Sequence, residues 1–324
     1  MPTEPPPSYA SAGPIRRFLT RIAWTLTLGV CASLSAGLWG GSWWILELLS
    51  HFQIQYAIAT AGLLVGFTIL RSRFGMVATG LGLVIILAML LPHYTGGRNP
   101  PASNGPALRL VYANVNTRNR DHQSMLDLIR RESPDVIALA EVHEGWANSL
   151  ASLHEQYPHQ VICPQDDNFG IGLWCRHPLE IGEIRYWGKA NVPSIEARFR
   201  HQDQAITLLL THPLPPMRKR HTAMRDEQLR ILAGIAKARG PRTILIGDFN
   251  TTPFATIFSQ VLTTGDLRDS SRGFGPQPTW PARLPWICRI PIDHCLHSAD
   301  LTVTRLQTGP HIGSDHLPLI LELR

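Results

Sequence analysis

Thr243-Ile244-Leu245-Ile246-Gly247-Asp248-Phe249-Asn250 is an apolar run that stops at a carboxylate and an amide. The apolar, β-branched residues predict a strand over Thr243–Asp248. Polar side chains just past the end of such a strand stand at the rim of a sheet rather than in its core. One such place is weak ground. A lone strand-end Asn is more often a turn residue, and a lone His is usually a satisfied surface group.

The pattern recurs outward along the chain. Asn114 follows Leu108-Arg-Leu-Val-Tyr-Ala113, Glu141 follows Val136-Ile-Ala-Leu-Ala140, and His212 follows Thr207-Leu-Leu-Leu-Thr211. Asp293 follows Ile290-Pro-Ile292, and Ser314-Asp315-His316 stands before Leu317-Pro-Leu-Ile-Leu321. Strand ends gathered at one rim of a sheet stack converge on a single cleft.

Strands are expected at Leu108–Val115, Asp135–Glu141, Gln160–Cys163, Gly170–Cys175, Ile181–Trp187, Ser194–Arg200, Ala205–Thr211, Thr243–Asp248, Asp293–Ser298, Leu301–Gln307 and Leu317–Leu323. Helices are expected at Asp121–Glu132, His143–Gln156, Arg218–Arg239 and Pro253–Leu262. In the second, Trp146, Leu150 and Leu153 recur on one helical face; in the third, Met224, Ile231 and Ile235 do. The middle strands follow one another through short turns, and the flanking ones alternate with helices. Eleven strands are too many for one ordinary open sheet, so two stacked sheets with helices outside is the natural packing.

Charge is scarce, with 17% charged residues in 324 against roughly 25% in an average soluble chain. The shortage lies in the N-terminal third. Residues 1–97 carry five of the 30 basic and two of the 24 acidic side chains, which leaves the remainder only weakly basic. That balance does not argue for a nucleic-acid partner. No charged side chain occurs from Ile22 to Leu46, Phe52 to Leu70 or Phe74 to Gly97. Three transmembrane helices are expected, at 20–40, 52–70 and 74–92. Buried core helices are the bland alternative. A cleaved signal followed by two spans is another, disfavoured because Leu38-Trp39-Gly40-Gly41 is a poor cleavage site.

Orientation follows from the short-loop arginines. Arg16, Arg17 and Arg21 precede the first span, Arg71 and Arg73 fill the turn between the second and third, and the remaining loop has only Glu47. Both basic segments should be cytoplasmic and everything after His93 outside. Trp39, Trp43 and Trp44 would lie in the outer interfacial belt. Residues 1–19, rich in Pro, are expected to be a disordered cytoplasmic tail, and 93–106, with GGRNPPASNGP at its end, a linker to a domain over 107–324. Of five cysteines, Cys163 with Cys175 and Cys288 with Cys295 could form disulfides outside the cytoplasm, or all could be buried free thiols.

The motifs Tyr112-Ala-Asn114-Val-Asn116, Asp135-Val-Ile-Ala-Leu-Ala-Glu141, Thr211-His212-Pro213, Gly247-Asp248-Phe-Asn250, Ile292-Asp293-His294 and Gly313-Ser-Asp315-His316 together resemble the endonuclease/exonuclease/phosphatase superfamily, in a membrane-anchored bacterial type. The likeness runs through 107–324. Its one departure is Ala140, where the family usually has Gln before the Glu. The resemblance implies a four-layered α/β sandwich with the active site at one sheet rim. It gives Asp293 the task of holding His316.

Phosphate-ester cleavage builds negative charge on the non-bridging and leaving oxygens, which a hard cation such as Mg²⁺ (or Mn²⁺) stabilises. Glu141 and Asn114 supply oxygens for it, with Asp315 as a third. Their bland reading is hydrogen-bonding of the sheet ends. Asp248 is suited to orient or deprotonate the attacking water, Asn250 to hold Asp248 or the phosphate, and His212 and His316 to donate to phosphate oxygens. A bell-shaped pH profile is expected. Arg218-Lys219-Arg220 could grip a second phosphate or an anionic headgroup, but a solvated helix face explains it as well. Arg225 could point either way. Thr279-Trp280-Pro281 could wall a pocket or be ordinary core.

The function expected is a metal-dependent phosphodiesterase, nuclease or phosphatase, anchored in the inner or plasma membrane as a monomer. Nucleic acid, lipid headgroups and small phosphorylated molecules all remain open as substrates. A catalytically inactive, membrane-tethered binding module is the other class, and the intact set of seven strand-end residues argues against it.

Overall fold

The computed structural model describes residues 13–38, 43–96 and 105–324. Four helices come first: α1 (Pro14–Leu38), α2 (Trp44–Ser50), α3 (Gln53–Ile69) and α4 (Arg73–Tyr94). Twelve strands and four more helices follow: β1 (Leu108–Asn114), α5 (His122–Glu132), β2 (Val136–Ala140), α6 (Glu144–Leu150), β3 (His159–Cys163), β4 (Ile171–Cys175), β5 (Leu179–Tyr186), β6 (Pro193–His201), β7 (Gln204–Thr211), α7 (Lys219–Arg239), β8 (Thr243–Asp248), α8 (Thr256–Gly265), β9 (Leu267–Asp269), β10 (Asp293–Ser298), β11 (Val303–Thr308) and β12 (Leu319–Leu323).

The strands form two six-stranded mixed sheets, ordered β11-β12-β1-β2-β4-β3 and β5-β6-β7-β8-β10-β9. Their alternation explains why both faces are apolar. Leu108, Leu110 and Tyr112 of β1 meet Ile244 and Ile246 of β8 in the layer between the sheets. Val111 and Ala113 turn the other way, against Met125, Leu128 and Ile129 of α5 and Trp146 of α6. Leu245 of β8 turns outward onto Leu229, Leu232 and Phe258 of α7 and α8. The result is the expected four-layered α/β sandwich. Each fully buried Leu or Ile contributes ~1.5–3 kcal/mol, so the central layer is what fixes the two sheets face to face.

Helix ends are set locally. Asp121 caps α5, its carboxylate accepting from Ser124 N at 3.2 Å, and Arg130 and Arg131 sit in the last turn, where the helix dipole favours them. The helix expected over His143–Gln156 stops at Leu150 and tightens into a 3₁₀ turn over Ala151–Leu153. The three-residue β9 is too short for any periodicity to announce it, and it pairs only with β10.

Register brings the strand ends to one rim. β1 and β2 run parallel, so Asn114 and Glu141 leave the first sheet at the same edge. β12 is antiparallel to β1, with Leu319 beside Tyr112, so the preceding Ser314-Asp315-His316 lies at that edge too. In the second sheet β7 and β8 are parallel, and antiparallel β10 sets Asp293 directly beside Asp248. Gly247 is where β7 and β8 come closest to the site: a Cβ there would stand 1.8 Å from the Thr211 carbonyl oxygen. Only glycine fits that crossing.

At the N-terminus, α1 and α4 are long and apolar enough to cross a membrane; α2 and α3 qualify only as a pair, bent by 61° at the break between them. The expected second span therefore begins with a corner, and a short helix stands where a loop was expected. α1 starts at Pro14, so residues 14–19 are helical rather than part of the tail, and proline suits a first helical position because it has no N–H to leave unpaired. Residues 1–12, Trp39 and most of the linker (97–104) lie outside the described residues. Arg16 Nε donates to the Leu70 carbonyl at 2.9 Å, which gathers the basic residues at one end of the helices.

The sandwich domain sits at the opposite end. The His93 carbonyl at the foot of α4 accepts from Gly273 N and Gly275 N at 2.9 and 2.7 Å, and His93 Nδ1 lies 3.0 Å from Ser271 Oγ. Ile54, Ile86 and Leu90 close over Phe254. All five cysteines are free. Cys163 pairs with Ile171 and Cys175 with His159, so the first two cysteines are at opposite ends of the β3–β4 hairpin and no disulfide can join them.

Candidate active site

The backbone leaves β2 through a left-handed residue: Glu141 has φ 61°. Asn116 (φ 60°) and Asn250 (φ 51°) share this unusual conformation beside it. Three non-glycine residues in a sparsely populated region, all at one rim, are the kind of strain that surrounding structure has to enforce.

Asn114 is fully buried and works as a clamp. Its Nδ2 donates to Glu141 Oε1 at 3.0 Å and to Asp248 Oδ2 at 3.2 Å, tying the two sheets together across the cleft. Its Oδ1 accepts from Asn116 N at 3.1 Å. Glu141 Oε2 accepts from Thr117 N at 3.0 Å. Asp315 accepts from Asn116 Nδ2 at 2.5 Å and from Trp280 Nε1 at 3.2 Å. Burial works against its charge, but these donors and His316 outweigh it and hold the carboxyl below the usual range.

Asp248 is the hub. Its Oδ1 accepts from Asn250 N at 2.9 Å. Its Oδ2 lies 3.5 Å from His212 Nε2 and 3.7 Å from His316 Nε2. Burial, reinforced by the neighbouring Asp293, pushes Asp248 up to about 6 despite both histidines. His316 Nδ1 donates to Asp293 Oδ2 at 2.7 Å. Burial disfavours its charged form, but Asp293 and Asp248 prevail and push it up to about 10. His316 is therefore an imidazolium, oriented by one carboxylate and aimed at another. Asn250 points its side-chain amide at the Pro213 carbonyl, 3.0 Å away, and holds Asp248 through its backbone.

Glu141, His212, Asp248, Asn250, Asp315 and His316 all line one cavity of about 620 Å³, with Asn114 and Asp293 buried behind them. Asp248, Asp293 and His316 also bring one donor atom each within 4.8 Å, a spacing that could hold a metal. His316 Nδ1 already donates to Asp293 Oδ2 at 2.7 Å, so a hydrogen-bonded dyad describes the trio as it stands. Hard oxygens suited to a divalent cation are offered instead by Glu141 and Asp315, each a carboxylate facing the cavity and held by its own donors.

A family model described as Endonuclease/Exonuclease/phosphatase matches residues 111–316, a stretch that contains every one of these side chains. The chain belongs to the Endonuclease/Exonuclease/phosphatase family. Among solved structures, a humanized TDP2 from D. rerio is 18% identical with a TM-score of 0.56, covering 67% of this chain and 99% of that one. An endonuclease/exonuclease/phosphatase from Beutenbergia cavernae is 21% identical with a TM-score of 0.56, covering 68% and 72%. The human Nocturnin catalytic domain, with bound sulfate, is 19% identical at 0.54, covering 68% and 94%. At these identities the likeness is one of fold. No curated protein matches. Phosphoester hydrolysis is the chemistry of the family.

Sequence reasoning missed part of the site. Trp44, Leu48, His51 and Phe52, from α2 and the corner after it, form one wall of the cavity. The signal that could have found them was Glu47, a lone acid in an otherwise apolar stretch, which demands a buried partner. That partner is Arg225, fully buried on α7: its Nη2 donates to Glu47 Oε1 at 2.6 Å and its Nη1 to the Asn250 carbonyl at 3.0 Å. Trp280 lines the cavity, while Arg218, Lys219 and Arg220 are exposed at the start of α7.

Proposed function

We propose that this chain is a membrane-anchored, divalent-cation-dependent phosphoester hydrolase with its catalytic domain outside the cytoplasm. The observation that carries the chemistry is Asp248, buried between two histidines, with His316 held by Asp293. Asp248 takes the proton of the attacking water. A base with a pKa near 6 is ionised at neutral pH yet still basic enough to act. The His316 imidazolium and His212 donate to the non-bridging oxygens from the cavity floor, so charge stabilisation comes from two preset directions. Asn250 keeps Asp248 from turning away.

Glu141 and Asp315 would hold the cation, Mg²⁺ or Mn²⁺, and the cation would neutralise charge on the phosphate and the leaving oxygen. Asn114 serves as a positioning donor in the present arrangement; to offer its carbonyl oxygen to the ion, its amide would have to turn over. The protein, purified in detergent with Mg²⁺ or Mn²⁺, is expected to hydrolyse bis(p-nitrophenyl) phosphate. Chelation, Glu141→Ala or His316→Ala should each lower the rate at least about 100-fold. Wild-type turnover no better than that of the two variants would end the enzymatic reading in favour of a binding module.

Anchoring rests on the two long apolar helices and the bent pair. Orientation rests on the arginines gathered at the end away from the domain. A periplasmic-type alkaline phosphatase reporter fused after residue 96 should be active, and a cytoplasmic-type reporter silent. The reverse result would put the domain inside.

A further inference from the structure

The cavity that holds the catalytic residues has two unlike halves. Its floor is ionisable; its walls are apolar, with Trp44, Leu48 and Phe52 on one side and Met217, Trp280 and Ile290 on the other. Among the described residues, no lysine or arginine lines it. A site that tracks a polyanion, whether nucleic acid or a polyphosphorylated sugar, needs such cations along its walls. Here, among the described residues, the donors at the floor are two histidines, His212 and His316, enough for one phosphate.

The wall is fixed in place. Glu47 and His51 of the α2 segment are bonded to Arg225 and to Thr252 Oγ1, the latter at 2.9 Å. Its position is equally specific, because it joins α1 to α3 at the end of the helices where the domain docks. Large apolar side chains crowd the same level: Trp43 is 67% exposed and Trp286 59%, and Leu284 and Ile287 are exposed as well. Gln55 of α3 donates to the carbonyls of Ile287 and Arg289, which ties that loop to the helix. Exposed tryptophans at a helix end mark the interfacial zone of a bilayer. The cavity therefore opens at headgroup depth.

Building on the hydrolase reading above, we propose that the substrate is a membrane amphiphile: a lipid bearing a single phosphoester, with its phosphate on the Asp248–His316 floor and the first carbons of its apolar chain against Trp44, Leu48, Phe52 and Met217. Water adds to phosphorus as its proton passes to Asp248, the phosphorus–oxygen bond to the leaving group breaks, and the leaving oxygen carries off the bonding pair and takes up a proton from solvent. The apolar wall binds the part of the molecule that does not react.

A chain-length series tests this. Methyl, butyl and octyl p-nitrophenyl phosphodiesters are given as monomers to the full-length protein in nanodiscs with Mg²⁺, and p-nitrophenolate release is followed. Each methylene moved from water to the wall should raise kcat/KM about three- to fourfold until the wall is filled. Trp44→Ala/Leu48→Ala should flatten that slope, and a cooperative thermal unfolding transition reports that the variant is folded. A slope that stays flat in the wild-type protein while the methyl ester is hydrolysed would overturn the lipid assignment and leave the hydrolase reading standing, as would a single-stranded oligodeoxynucleotide cut faster than the octyl ester. A slope unchanged in the double variant would overturn the role of α2. Hydrolysis of none of the esters would overturn both readings.

Discussion

Asp248→Asn should lower kcat on the order of 10⁴-fold, at the upper end for loss of a general base. The substitution keeps the shape of a side chain that is only 2% exposed, and its carbonyl oxygen can still accept from Asn250 N, while its amide nitrogen, a donor, faces Asn114 Nδ2 and gives up that bond. The larger loss is the charge. That loss acts twice, because Asp248 both accepts the water's proton and helps keep His316 charged. Asp293→Asn, by contrast, would leave the base in place and act through His316, loosening its orientation and weakening the hold on its proton, so its cost should be smaller.

The pH dependence separates this account from simple unfolding. In the wild-type protein the rate should rise through about pH 6, as Asp248 ionises, and fall through about pH 10, as His316 loses its proton. In Asp248→Asn the residual rate should lose the acid limb. Its alkaline limb should also move below 10, since one of the two carboxylates that raise His316 has gone. Stopped rates across pH 4.5–11 in overlapping buffers would show both. An acid limb that persists near 6 in the variant would assign the base to some other group.

The layers of the domain were readable because the central strands of both sheets are buried on both faces, and near-continuous apolar runs such as Val136–Ala140 and Thr243–Gly247 report that directly. The site residues were readable for a related reason. A polar side chain immediately after such a run has no place in the core, so Asn114, Glu141, His212, Asp248 and Asp293 stood out against the strands that deliver them. The corner at Ser50–Gln53 was not readable, because apolar composition carries no mark of direction, and α2 and α3 look like one stretch of greasy chain. Nor could local sequence say where Arg225 pointed. Its partner is 178 positions away, and α7 is polar enough on other faces to make a solvated arginine equally reasonable.

Arg225→Ala should destabilise the full-length protein by about 3–5 kcal/mol, because it strands Glu47 in the seam between the helices and the domain. Arg225 is 0% exposed and Glu47 5%; once the guanidinium is gone, Glu47 keeps the Thr251 hydroxyl at 3.5 Å as a partner among the described residues, with Asp226 opposing its charge. A carboxylate cannot be hydrated there. The melting temperature should fall by roughly 10 °C or more for a domain of this size. Replacing both partners, Glu47→Leu with Arg225→Leu, should recover most of that loss, since it removes the stranded carboxylate; Asp226, the other acid on Arg225 at 2.6 Å, is 18% exposed and still faces Arg230 at 3.8 Å. Activity should not recover with it. Arg225 Nη1 also holds the Asn250 carbonyl, and Asn250 N holds Asp248 Oδ1, so the arginine connects the membrane-proximal wall to the catalytic base through two hydrogen bonds. The double variant should therefore melt near the wild-type temperature with kcat still lowered about tenfold, the equivalent of ~1.4 kcal/mol of lost positioning. A single Arg225→Ala variant that melts within 2 °C of wild type would show the pair to be solvated and the seam open. A double variant with both stability and kcat restored would show that Arg225 supports the fold without positioning Asp248.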